Sequence, residues 1–300
     1  MRILTFLSLL ILPGLCWAKL NVFACEPEWA DLTAQLAADK AEVFTATHAN
    51  QDPHHIEARP SLIAKMRKAD LVVCTGAELE VGWLPLLIRR SGNKNVQSNQ
   101  PGYFEAAMEV ERLEIPTTLD RSQGDVHSAG NPHVHLDPNR VLVIASALTK
   151  RLIAIDPANQ SHYESQLGEF NTQWKNQLQH WEQKAQALQG MKVVTHHKDW
   201  IYLNNWLGLE QLATIEPKPG IPPSAKDQKR LLENLGTNKP DVIMLSGYQN
   251  PKAAQWLADK LQVPMVQLPY TVGGDTFSTS LSHLFDRTID LLIQAKQEAP

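Results

Sequence analysis

Short apolar runs alternate with amphipathic stretches along almost the whole chain, and this rhythm restricts the fold more than any other feature. Residues 20–24, 43–47 and 71–74 read as strands, and 29–38 and 61–69 as helices, the second just after Pro60. The alternation returns after Gly190, with strands at 192–195, 211–215, 242–245 and 264–268. Helices fall at 199–207, 224–235, 250–261 and 277–295, and Ser224 with Asp227 spells a capping box. Strands separated by helices build parallel sheets covered on both faces. Three hundred residues, 43% hydrophobic and 20% charged, suit two such α/β lobes rather than one small core.

The stretch between the two sets is different. Residues 97–131 are polar and irregular, and 139–155 are helical by the spacing of Val141, Ile144, Leu148, Leu152 and Ile155. Asp156-Pro157 then opens a second helix, with Tyr163, Leu167, Phe170, Trp174, Leu178, Trp181, Ala185 and Leu188 at alternating spacings of four and three. Running to Gly190, it would be about 48 Å long, a natural strut between lobes. The expected division is a leader at 1–18, an N-terminal α/β lobe at 19–155, a linker helix at 156–189 and a C-terminal α/β lobe at 190–300.

Arg2, the apolar run 3–12 and the small Ala18 form an export signal, cleaved near Ala18 and too short to span a bilayer. Cys16 after a Leu-rich stretch is the competing lipid-anchor reading, disfavoured by the bulky Leu15 before it. The mature protein is expected to be soluble, periplasmic and monomeric. In that oxidising compartment Cys25 and Cys74 are either a disulfide or two buried thiols. A formal charge of −4 without a single-sign block gives no sign of nucleic-acid binding.

Eleven histidines are more than this length requires. His54 and His55 follow the 43–47 strand, His196 and His197 follow 192–195, and His127, His133 and His135 end the irregular segment. Ligands of open parallel sheets gather beyond the carboxyl ends of strands, so these clusters stand where a metal site would be built. Imidazole suits zinc. His48, His162, His180 and His283 read as surface residues.

Four segments carry a family resemblance: Asp52-Pro-His54-His-Ile-Glu57, Asn131-Pro-His133-Val-His-Leu-Asp137-Pro138, Val193-Val-Thr-His-His197-Lys198 and Gly273-Gly-Asp275-Thr276. In this order, with the long helix between the second and third, they resemble the zinc- and manganese-specific solute-binding proteins of bacterial ABC importers. The resemblance covers roughly residues 19–295. It implies metal ligands His54, His133, His197 and Asp275, capture of an ion between the lobes, and delivery to an inner-membrane ABC permease without catalysis. A histidine at the third position resembles the zinc branch, so Zn²⁺ is expected ahead of Mn²⁺. His55, His135 and His196 are alternative ligands, and His127 an accessory one.

Two other functions compete. His133-Val-His135-Leu-Asp137 spells HxHxD, a pattern of zinc hydrolases, although Pro138 stands where those enzymes place another histidine. A surface adhesin with weak metal binding is the second.

Overall fold

The computed structural model describes residues 19–118 and 124–299. The expected leader with Cys16 lies outside them, as does part of the polar segment before His127.

Strand β1 (Leu20–Ala24) leads into helix α1 (Pro27–Ala37), which starts on proline. Strand β2 (Ala41–Thr45) is followed by a loop to helix α2 (Pro60–Lys68), again opened by proline, and then by β3 (Leu71–Cys74). Helix α3 (Leu84–Ser91), which the sequence reading passed over, buries Leu84, Leu87 and Ile88. The supposedly irregular stretch holds a short strand, β4 (Tyr103–Glu105). Three residues are too few to show a period; pairing with β3 defines the strand, not pattern.

Helix α4 (Pro138–Ile155) begins where Asp137 accepts the Asn139 N–H. The linker follows as α5 (Gln160–Ala185), flanked by single 3₁₀ turns at Pro157–Asn159 and Gln186–Leu188. Its 26 α-helical residues span about 39 Å, less than the expected 48 Å. Asp156 gives its carboxylate to the Asn159 amide and the Tyr163 hydroxyl rather than to the main chain, so the first turn stays 3₁₀.

The second half continues with β5 (Lys192–Thr195), α6 (Ile201–Leu207), β6 (Glu210–Thr214) and α7 (Ala225–Leu235). The Ser224/Asp227 capping box is present as read. It closes with β7 (Val242–Ser246), α8 (Lys252–Leu261), β8 (Met265–Leu268) and α9 (Leu281–Glu298). Helix α9 starts four residues later than expected. Asp275 first holds the Phe277 and Ser278 N–H groups in a loop, and Ser280 then caps the helix.

Both sheets are parallel and share one order, β2-β1-β3-β4 and β6-β5-β7-β8. The lobes are therefore topological copies, although their residues show no repeat. Each sheet has an outer apolar layer of its own, one around Leu62, Met66, Trp83 and Leu87, the other around Leu235, Leu257 and Leu261. A single inner cluster runs through both lobes and takes in Tyr163, Phe170, Trp174 and Trp181 of α5. Trp174 and Trp181 pack on Phe285 of α9, with centroids 5.8 and 5.1 Å away, and Trp174 Nε1 donates to Pro138 O at 2.9 Å. The linker is thus a packed spine fastened to both lobes rather than a bare strut.

Cys25 and Cys74, at the ends of adjacent strands β1 and β3, form a disulfide with Cα atoms 4.8 Å apart. No helix among the described residues is long and apolar enough to cross a membrane.

Candidate metal centre

The loops that meet between the lobes leave carboxyl ends of strands. Beyond β2, Asp52-Pro53-His54 makes a side-chain turn: Asp52 Oδ1 accepts both the His54 N–H (3.0 Å) and its Nδ1–H (2.7 Å). Trp83 Nε1 donates to Pro53 O at 2.9 Å, so the neighbourhood of α3 pins this loop. Beyond β4, Asn131-Pro132-His133 repeats the device: Asn131 Oδ1 accepts the His133 N–H at 3.1 Å and its Nδ1–H at 2.8 Å. The Asn131 amide also donates to Lys198 O at 2.8 Å, tying this loop to the C-terminal lobe. Beyond β5, His197 gives its Nδ1–H to Glu216 Oε2 at 2.7 Å. Glu216 follows β6 and also accepts the Gly220 N–H at 2.8 Å.

All three rings are oriented in the same way. An oxygen acceptor holds each Nδ1, which fixes the tautomer and leaves the Nε2 lone pair for the site. The centroids form a near-equilateral triangle, 5.9 Å for His54–His133 and His54–His197 and 6.0 Å for His133–His197. One nitrogen of each histidine lies within 4.8 Å of the other two. A tetrahedral zinc with Zn–N of 2.0–2.1 Å sets nitrogens roughly 3.3 Å apart, so the trio needs to tighten by about 1.5 Å at most. His133 Nε2 is buried with no hydrogen-bond partner among the described residues, and a cation would satisfy it.

Electrostatics favour a cation as well. Burial, with His54 and His197 nearby, holds the His133 ring well below the usual imidazole range, so it stays neutral. Burial opposes a charge on His197 too, but the Glu216 hydrogen bond and Asp199 outweigh it and push the ring up. Burial would raise Asp52, but its hydrogen bond to His54 holds it low and ionised. Asp52 and Glu216 thus stand as two carboxylates behind the three rings, and since imidazole binds a metal in its neutral form, the pair would match a divalent charge.

Asp275 does not join the trio. Its Oδ1 accepts from Phe277 N, Ser278 N and Ser278 Oγ, and its Oδ2 binds Arg287 Nε at 2.7 Å. The Arg287 bond keeps its carboxyl ionised against the effect of burial. The expected fourth donor is here committed to its own loop. The alternative histidines separate clearly. His135 is buried elsewhere, its Nε2 3.0 Å from Tyr270 O and its Nδ1 3.4 Å from Glu28. His55 is exposed and 4.0 Å from Asp125, and His196 Nε2 faces Glu216 at 3.7 Å. The HxHxD reading fails on the same geometry: His135 turns to Tyr270, and Asp137 caps α4 and pairs with Arg140. His127, given only an accessory part, lies with its Nε2 3.3 Å from His54 Nε2. Nothing local in the sequence marks Glu216, a carboxylate 19 residues beyond its histidine. The Asx-Pro-His repeat was a legible signal for the other two orienting groups.

Known proteins share the sequence pattern and the fold. A profile of the family described as zinc-uptake complex component A, periplasmic (ZnuA) matches residues 22–291. The manganese ABC transporter substrate-binding lipoprotein PsaA of Streptococcus pneumoniae is 25% identical over 258 residues, 84% of this chain and 80% of that protein. The metal ABC transporter substrate-binding lipoprotein FimA of Streptococcus parasanguinis is 24% identical over 292 residues, 92% and 90% of the two chains. The fold superposes on a crystal structure of ZnuA with a TM-score of 0.74 at 22% identity, covering 91% of this chain and 99% of that one. A Mn-bound periplasmic metal-binding protein from Candidatus Liberibacter asiaticus also gives 0.74, at 17% identity over 92% of this chain and 99% of that one. With this fold, and with the profile spanning nearly all of it, the chain belongs to the ZnuA family and is the metal-binding, substrate-binding component of an ABC importer rather than an enzyme.

Proposed function

We propose that the protein captures zinc in the periplasm and hands it to the membrane permease of its importer. The observation that carries this reading is the triangle of His54, His133 and His197, each with Nδ1 held by Asp52, Asn131 or Glu216. Three imidazoles favour zinc over manganese, which prefers carboxylate and water oxygens. Relatives named for manganese make selectivity the point to test.

His54 and His133 come from the N-terminal lobe and His197 from the C-terminal lobe, so a bound ion would crosslink the two. The inner apolar cluster runs through both lobes along α5. This supports a small closure rather than a wide hinge opening, and release at the permease would separate His197 from the other pair. We place the lobe boundaries at 155 and 190 and take the monomer as the acting unit.

Competition with a chromophoric chelator on metal-stripped protein tests the assignment. Expected are one zinc per chain, manganese binding weaker than zinc, and a loss for His197→Ala of at least the roughly 10- to 100-fold that removing an orienting partner costs. His48→Ala should bind as wild type. Manganese binding tighter than zinc, or equal losses at His197 and His48, would overturn the reading.

A further inference from the structure

One histidine near the trio belongs to none of the three ligand loops. His127 sits on residues 124–130, a strap laid across the mouth of the cleft. Its Nε2 is 3.3 Å from His54 Nε2. That is the edge of a tetrahedron with zinc–nitrogen bonds of roughly 2.0–2.1 Å. With His133 and His197 it lines a cavity of about 410 Å³. The ring does not join the 4.8 Å grouping of the trio, so it would close the site last.

The strap is built to hold that position. The Asp125 N–H donates to Pro219 O of the C-terminal lobe at 2.9 Å. The Ser128 N–H donates to the Glu78 carboxylate of the N-terminal lobe, and Arg112 Nε donates to Ala129 O at 2.6 Å. Gly124 and Gly220 have φ of +86° and +74°, and a Cβ on either would come within 2.1 Å of Pro219 O or 2.0 Å of Asp125 Oδ2. Only glycine lets the strap and the 216–223 loop approach this closely.

Charge decides between the two candidate fourth donors. Asp52 and Glu216 already balance a divalent ion, so a neutral imidazole completes the site without excess charge, whereas Asp275 is already paired with Arg287. We infer that His127 is the fourth ligand of the captured ion, supplied by the strap in place of Asp275. A four-imidazole sphere strengthens the preference for zinc over manganese. The inference rests on the zinc-capture reading.

The test uses the full mature chain as wild type, His127→Ala and Asp275→Asn. Zinc affinity is read by chelator competition and ligand type by X-ray absorption of the zinc-loaded protein. The strap is seated through main-chain groups, so metal-free His127→Ala should melt with wild type. Expected are four imidazoles in wild type and three in His127→Ala, with zinc affinity reduced at least the roughly 10- to 100-fold typical of losing an orienting partner. Asp275→Asn should stay within about twofold of wild type, a difference too small for a lost ligand. An unchanged imidazole count in His127→Ala, or the main loss falling on Asp275→Asn, overturns the inference and leaves the trio standing. Wild type that takes up no zinc overturns the capture reading itself.

Discussion

Glu216 offers the sharpest test of how the proposed site is tuned, because it would act on a bound ion only through His197. Its Oε2 takes the His197 Nδ1–H at 2.7 Å and the Gly220 N–H at 2.8 Å, and its side chain is 11% exposed. Glu216→Gln keeps an acceptor oxygen but removes one of the two negative charges behind the trio. Glu216→Ala removes the acceptor as well and frees His197 to take other tautomers and rotamers. Loss of such an orienting partner typically weakens metal affinity about 10- to 100-fold. We therefore expect roughly tenfold for the glutamine variant and about 100-fold for the alanine, or ~1.4 and ~2.7 kcal/mol. Chelator competition at pH 7.5, on metal-stripped protein whose melting temperature matches wild type, reads both values. Asp227→Asn, in the exposed capping box of α7, is the control and should bind as wild type. If both Glu216 variants bound zinc within twofold of wild type, the argument that this carboxylate fixes and charges the site would be wrong.

Further expectations follow from other parts of the molecule. Zinc at about 100 times its dissociation constant should add ~2.7 kcal/mol and raise the melting temperature by roughly 4–5 °C; an unchanged scan would contradict binding to the folded state. Burial pushes the Glu80 carboxyl up to about 7 beside the similarly raised Glu26. The folded state thus favours the protonated acid, so this stabilisation is full below the unfolded value near 4.5 and disappears as pH rises through about 7. Denaturation from pH 5 to 8 should show a slope of up to ~1.4 kcal/mol per pH unit that Glu80→Gln flattens; an identical slope in the variant would refute the assignment. The Cys25–Cys74 bridge spans 49 positions, so its absence in a Cys25→Ser/Cys74→Ser variant should cost up to ~4 kcal/mol in urea unfolding. Trp174→Ala, which empties the junction of α4, α5 and α9, should cost about 3–5 kcal/mol.

The chain itself determined the lobes. Strands β1, β3 and β5 fall where apolar runs do, because a buried parallel strand needs side chains that bury on both faces and must end at polar turns. Ser224 with Asp227 announced α7 because a capping box is a local hydrogen-bonding device. The histidine clusters around 54, 133 and 197 were legible because loops beyond parallel strands face one cleft, and the family resemblance picked one residue from each. What the sequence could not decide depended on partners far along the chain. β4 exists by pairing with β3, Cys25 meets Cys74 by strand adjacency, and Glu216 finds His197 by folding across the sheet. Asp275 lies in a segment that resembles the family's fourth motif, yet Arg287 of the following helix holds its carboxylate. His127 read as an accessory residue until the strap brought its ring to His54. Periodicity and turn chemistry are local and can be read along the chain, whereas a ligand sphere joins side chains that only tertiary packing brings within bonding distance.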